Sequence, residues 1–197
     1  MVTSRGPSGH CNGAAEPFAT RVRDGRILMV FRLATAPATA DCLQYFASFS
    51  STEAESWGVP FQLGKTLWAV RPWLLLLGNG VLVLTGGRPG IYLSISPDGN
   101  GDTWETYNLA AEHNRRVPSH KLAFPNCSVE IPHPAPGNPC TPEVTTSYTS
   151  MLAAGPSSLI VSYDRLSAGW TGPARDGAYG PADTVFTMRV DVSNASL

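Results

Sequence analysis

The stretch CLQYFASFSSTEAESWG at residues 42–58 is followed by a near-repeat, IYLSISPDGNGDTWE, at residues 91–105. Each copy begins as an alternating apolar strand that ends in Ser, passes through a short polar turn and closes at Trp57 or Trp104. The copies lie about 47 positions apart, and a period of roughly 40–50 residues built from short strands is typical of propeller blades. Such blades bury their faces only by stacking on neighbours. The repeat therefore predicts an all-β propeller, whose site would lie on the central axis.

The composition of the chain suits a β-rich fold with many turns. Hydrophobic residues make up 43% of the 197 residues, charged residues only 15%, and there are 19 glycines and 17 prolines. This is typical of a globular β-protein rather than a helical bundle or a disordered chain. The formal net charge of −1 provides no attraction for nucleic acid or an anionic membrane, so neither is expected as a partner.

No segment of the sequence predicts a membrane span. The longest apolar run, residues 73–84, is interrupted by Gly78-Asn79-Gly80 and predicts a hairpin. The start, MVTSRGPSGHC, lacks the apolar core of a signal peptide, so the residues alone leave the localisation open. Cys127 and Cys140 bracket a Pro-rich loop and could form a disulfide if the chain is secreted.

Three sheet-like units follow one another along residues 16–197, and residues 1–15 are expected to be disordered or a linker. Within each unit a hairpin turn separates alternating apolar runs; these turns are Asp24-Gly25, Asn79-Gly80 and Gly155-Pro156. Residues 110–145 form a Pro- and His-containing loop insertion without periodicity. About three four-stranded antiparallel blades do not close a ring. The chain is therefore expected to be half of a larger domain or a truncated product.

The turn at residues 96–104 resembles the Asp box, or BNR repeat, of the sialidase (neuraminidase) superfamily. That box has the form S-x-D-x-G-x-T-W, which SPDGNGDTW matches with one extra residue. The first turn keeps the Ser and the Ser-Trp ending but lacks the Asp and Gly. Asp98 is expected to accept backbone N–H bonds within its own turn, a structural role. A calcium loop is disfavoured because Thr103 stands where an EF-hand needs Gly, and no metal or other cofactor is expected.

A more specific similarity to the same family lies on the strands. In EPFATRVRDGRILMVFR (residues 16–32), Glu16 and Arg32 flank an Asp-Gly turn in the order and spacing of the family's pattern. Arg88 precedes the second turn as the family's next axial Arg does, and Tyr148, in the phrase SYTSM, resembles the family's nucleophilic Tyr.

The resemblance, which spans residues 16–190, implies a glycoside hydrolase of the exo-α-sialidase type. A sialoside carries a carboxylate on its anomeric carbon, which Arg32 and Arg88 would clamp through bidentate bonds. This carboxylate would repel an acidic nucleophile, so the neutral Tyr148 would attack while Glu16 takes its proton. The expected partner is a sialic-acid-containing glycan or a related acidic sugar, and the family favours a secreted or lysosomal location.

Two functional residues of the family are not found in this chain: the Arg of an F/Y-R-I-P phrase and the Asp that serves as acid/base. General acid help is worth about 10²–10⁴-fold, so weak or no activity is expected for this chain alone. The matched residues also have structural alternatives: solvated turn positions for Glu16 and Arg88, an ion pair with Asp24 or Asp41 for Arg32, and blade packing for Tyr148. The alternative function is a non-catalytic propeller that binds glycan or protein. In either case, open blade edges would allow self-association.

Overall fold

The computed structural model describes residues 13–33, 44–64, 67, 69–87, 90–118, 148–165 and 184–193. Within these ranges the chain forms eleven β-strands and one helix. The strands are β1 (Ala14–Arg21), β2 (Ile27–Leu33), β3 (Tyr45–Ser50), β4 (Phe61–Gln62), β5 (Val70–Leu76), β6 (Leu82–Gly87), β7 (Ile91–Ser96), β8 (Glu105–Asn108), β9 (Thr149–Gly155), β10 (Ser158–Arg165) and β11 (Thr184–Asp191). The helix α1 (Leu109–Arg116) lies between β8 and β9.

The strands form three antiparallel sheets, which we number as blades in chain order. The first has the order β1-β2-β3-β4, the second β5-β6-β7-β8, and the third β9-β10-β11. β5 packs against both β1 and β9, so the first strand of each blade lies on the inner side of the assembly. The predicted all-β partial propeller is confirmed; in the described part of the chain the third blade has three strands rather than four.

The two Trp-ended turns occupy equivalent positions, as the repeat predicts, because each joins the third and fourth strands of its blade. In the second turn Asp98 accepts hydrogen bonds from the backbone N–H groups of Asn100 (2.6 Å) and Gly101 (3.1 Å). In the first turn, where that Asp is missing, Ser50 Oγ accepts from Ala54 N at 3.0 Å. Thr52 Oγ1 accepts from Ser56 N at 2.9 Å. Hydroxyl groups therefore hold the degenerate copy in a similar turn.

The core lies between the blades. β6 is buried along its whole length because both faces of the second blade are covered. Leu82 and Leu84 face the first blade and cluster with Leu28, whereas Val83 faces the third blade and clusters with Leu159. Alternating side chains of β6 thus pack against the first blade on one face and the third blade on the other. With the blades stacked in this way, β5 lies between β1 and β9.

Helix α1 differs from the sequence-based expectation, which assigned residues 110–145 to a loop insertion. Asn108 caps the helix by accepting a hydrogen bond from Ala111 N at 3.0 Å, a strong N-terminal signal. His113 is buried, and its Nδ1 lies 2.5 Å from the hydroxyl of Tyr163 on β10. The helix therefore packs against β7 of the second blade and reaches β10 of the third blade through His113. Residues 119–147, with Cys127 and Cys140, lie outside the described residues. With eight residues, the one helix in the described ranges is too short to span a membrane.

Candidate functional site

The inner strands of the first two blades are interrupted in the same way. Glu16-Pro17 breaks the register of β1 between Ala15 and Phe18, and Arg71-Pro72 breaks that of β5 between Val70 and Trp73. Glu16 has φ 53° and Arg71 has φ 49°, a left-handed conformation that costs a non-glycine residue on the order of 1 kcal/mol or more. Bulges of this kind redirect side chains and are frequent beside functional sites.

The first bulge directs Glu16 into an ion pair with Arg32 on β2. Arg32 Nε donates to Glu16 Oε2 at 2.7 Å, and Arg32 Nη2 donates to Oε1 at 3.0 Å. The two side chains are only 15% and 25% exposed, Arg32 being the more buried. The hydrogen bond to Glu16 raises the pKa of Arg32, and burial opposes that rise. The pair is therefore bidentate and largely shielded from solvent.

The second bulge connects this pair to the next blade. Arg71 N donates to Glu16 Oε2 at 2.7 Å, so one carboxylate holds together the inner strands β1 and β5. The Arg71 side chain continues toward the third blade, where its Cζ lies 5.0 Å from the ring centroid of Tyr148, within cation–π range. Glu16, Arg71 and Tyr148 thus bring one polar group from each blade to the same place.

These three residues line an open cleft of about 350 Å³. The rest of its lining is apolar and comes from the two bulges: Pro17, Phe18, Pro72 and Trp73. The rings of Phe18 and Trp73 are 4.8 Å apart. A concave, mostly apolar surface with a few converging polar groups is the usual form of a small-ligand site.

The structure brings together three of the four residues predicted from the sequence. Glu16 and Tyr148 line the cleft, and Arg32 lies behind it on Glu16. Asp24 was a candidate partner for Arg32, but it pairs with Arg26 at 2.7 Å. Arg88 and Asp41 lie outside the described residues, so the position of Arg88 and the catalytic and clamping roles of all four residues stay predictions.

Arg71 is a member of this site that sequence analysis missed. A signal for it was present: Glu16-Pro17-Phe18 in the first blade recurs as Arg71-Pro72-Trp73 in the second, a charged residue, a proline and an aromatic ring. The recurrence is easily overlooked because the charge reverses sign between the two copies.

A buried phenol lies close to the ion pair. Tyr45, on β3, has a hydroxyl with no hydrogen-bond partner among the described residues, and a Cβ on Gly86 of β6 would overlap that oxygen. Burial raises the pKa of Tyr45, and the charge of Glu16 raises it further, so the phenol keeps its proton at neutral pH.

No metal ligand set accompanies this cleft. The described residues contain no group of three or more His, Cys, Asp or Glu side chains that could hold a metal ion.

Comparison with known proteins identifies the fold of the chain but does not assign it to a family. No family model matches the chain, and no curated protein sequence matches it. Several solved structures are similar. A Dyadobacter fermentans protein of unknown function aligns at TM-score 0.55 and 12% identity over 91% of this chain and 38% of its own. The α-L-arabinanase of Penicillium chrysogenum, complexed with arabinobiose, aligns at TM-score 0.54 and 15% identity. The alignment covers 98% of this chain and 51% of the arabinanase.

A third similar structure is an ulvan lyase, a polysaccharide lyase, with TM-score 0.53 and 16% identity over 93% of this chain and 39% of its own. The chain thus spans about half or less of the length of these structures. At such low identity the similarity establishes the fold alone: three blades of an all-β propeller.

Proposed function

We propose that the chain is part of a sialidase-like glycoside hydrolase that binds an acidic glycan in the cleft between the inner strands. The observation that carries the proposal is the meeting of Glu16 and Tyr148, from different blades, in one cleft beside a cationic group. The hydrogen bonds that Asp98 accepts within residues 96–104 add support, because they are what an Asp-box turn requires.

The proposed chemistry follows from the charge of the substrate. The phenol oxygen of Tyr148 attacks the anomeric carbon while Glu16 takes the phenol proton and the leaving group departs with the bonding electrons. Water then cleaves the aryl glycoside bond. Arg32 and Arg88 are proposed to hold the substrate carboxylate. Because the chain offers no assigned proton donor to the leaving oxygen, we expect substrates with good leaving groups to react and natural glycosides to react slowly or not at all.

The similar structures support the carbohydrate part of this proposal. One was solved with arabinobiose, and another ulvan lyase structure, at TM-score 0.53, holds a glucuronate–rhamnose sulfate disaccharide. The fold therefore accommodates both neutral and acidic glycans, and the residues in the cleft would decide between them.

The experiment is a titration of the full chain with a sialic acid analogue, measured by isothermal titration calorimetry. Arg88→Lys keeps the charge but loses the planar guanidinium, so binding should weaken about ten-fold. Arg189→Lys, on the exposed face of β11, is the matched control and should bind normally. Tyr148→Phe should bind the analogue yet fail to release the phenol from an aryl sialoside.

A non-catalytic glycan-binding propeller is the second candidate. It is favoured by the ion pair, since Glu16 accepts three hydrogen bonds from Arg32 and Arg71 and such bonds weaken a carboxylate as a base. Binding of the analogue with no turnover of the aryl sialoside would support this candidate. Absence of binding would contradict both functions.

A further inference from the structure

The charge balance of the cleft points to a role for its second arginine. Glu16 and Arg32 form a bidentate pair and neutralise each other. Arg71 adds a positive charge, and within the described ranges no carboxylate lies in ion-pair distance of its guanidinium. We propose that Arg71 is a further specificity-determining residue of the cleft, beside the arginines proposed above to hold the carboxylate, and that it favours ligands with a sugar carboxylate over neutral sugars. The inference rests on the proposed function only in that the cleft binds a glycan.

The backbone around Arg71 fixes the direction of its side chain. Its φ of 49° is a conformation that glycine adopts without strain, yet a long cationic residue occupies the position. Pro72 follows Arg71 in the chain, and the backbone N of Arg71 donates a hydrogen bond to Glu16 Oε2 at 2.7 Å. Strain that neighbouring groups maintain in this way is typical of binding sites, whereas a solvated surface arginine needs no such restraint.

The surroundings of the guanidinium determine what it can contact. Arg71 is exposed to solvent, and its Cζ lies over the Tyr148 ring at 5.0 Å, which restricts the planar group to one side of the cleft. A planar guanidinium offers a carboxylate two parallel N–H donors. The apolar wall of Phe18 and Trp73 would lie beside the C–H face of the sugar ring. A uronate or a sialate has both features, an apolar ring face and a carboxylate at its edge.

A pair of ligands that differ only at the carboxylate tests this assignment. The full chain is titrated with methyl glucuronoside and with methyl glucoside, and the ratio of the two dissociation constants is the readout. We expect the uronoside to bind about ten-fold or more tightly, with a ratio that falls as salt is added. Arg71→Gln should lower the ratio by about five-fold, because the other arginines proposed to hold the carboxylate remain, and an unchanged far-UV circular dichroism spectrum would show that the variant is folded. Arg71→Lys should keep an intermediate ratio, and Arg189→Gln should keep that of the wild type.

The outcomes separate this inference from the hydrolase proposal. A preference for the uronoside that is undiminished in Arg71→Gln, or no preference in the wild type, overturns the assignment of Arg71. Failure of both sugars to bind overturns it together with glycan binding. A third outcome is that the wild type fails to cleave an aryl sialoside while Arg71→Gln still lowers the preference for the uronoside. That result supports the assignment of Arg71 and rejects only the hydrolase.

Discussion

Asp98 is the residue whose local role the sequence predicts most completely. Its carboxylate accepts hydrogen bonds from the Ser96 hydroxyl at 2.8 Å, from Asn100 N and Gly101 N, and from the hydroxyl of Thr103 at 3.0 Å. Every one of these donors lies within five positions of Asp98. Short-range contacts of this kind follow from spacing alone, which is why the turn could be predicted.

Replacing Asp98 by Ala should lower the free energy of unfolding by about 2–3 kcal/mol, because several donors of the turn lose their shared acceptor. Asp102→Ala, an exposed change in the same turn, is the control and should alter the stability by less than about 0.5 kcal/mol. Urea unfolding at neutral pH measures both. Equal stabilities of the two variants would show that the Asp98 contacts contribute little.

The same residue should make stability depend on pH. Burial raises the pKa of Asp98, but the hydrogen bonds from Asn100, Ser96, Thr103 and Gly101 together outweigh it, so the pKa is lowered on folding. The stabilisation is therefore present above the unfolded pKa of about 4 and is lost as the pH falls through the folded pKa. Urea unfolding measured over a range of acidic pH tests this. The free energy of unfolding should fall less with decreasing pH in Asp98→Ala than in the wild type, because the variant has no Asp98 carboxylate to protonate.

At the candidate site, the sequence predicts less. The family pattern identified Glu16, Arg32 and Tyr148, and the structure places all three in or directly behind one cleft. Arg71 was missed because its importance depends on contacts between blades: a carboxylate 55 positions earlier and an aromatic ring from the third blade. Pattern analysis along one strand does not contain that information.

Among the structural elements, the long strands were predicted because their alternation is strong, and the short or capped elements were not. β4 is only two residues long and exposed, so it has no periodicity to detect. Helix α1 has eight residues and lacks a long apolar face; its stability comes from the Asn108 cap and from the contact of His113 with Tyr163. Tertiary docking of that kind is invisible in a local window.

The contact between β3 and β6 yields a prediction at the scale of elements. Gly86 is buried, and a Cβ there would overlap the Tyr45 hydroxyl and approach Ala69 Cβ to 2.9 Å. Gly86→Ala should therefore destabilise the protein by about 1–3 kcal/mol through overpacking. Tyr45→Phe removes an unpartnered hydroxyl and should cost little or be slightly stabilising.

The double variant makes this prediction specific. Removal of the hydroxyl opens the space that the new methyl group needs, so Tyr45→Phe should recover part of the loss caused by Gly86→Ala, with a coupling of about 1 kcal/mol in thermal or urea unfolding. Recovery should be incomplete because Ala69 remains close. Strict additivity of the two changes would mean that the strands separate to accommodate the methyl group and that the hydroxyl is not the obstacle.

At the scale of the whole molecule, the three blades differ in how their faces are covered. The second blade is covered on both sides by its neighbours. In the third blade, Met151, Leu159 and Val161 face the second blade, while the opposite face exposes Leu152 at 67% and Val185 at 75%. A face that alternates between apolar and polar residues is stable in water but leaves apolar area available for contact with another sheet.

We expect this outer face of the third blade to mediate self-association, because open repeat arrays without a polar cap tend to stack. The weight-average mass from light scattering should rise with protein concentration. Leu152→Glu combined with Val185→Lys should move the distribution toward the monomer without loss of β-sheet circular dichroism, since both side chains are largely in water. Val59→Lys changes an even more exposed apolar residue, 88% exposed, that lies after the Trp57 turn in the first blade, and it should leave the association unchanged. A wild-type chain that stays monomeric at high concentration would show that the outer face needs no partner, because the polar positions between Leu152 and Val185 then suffice to keep it in solution.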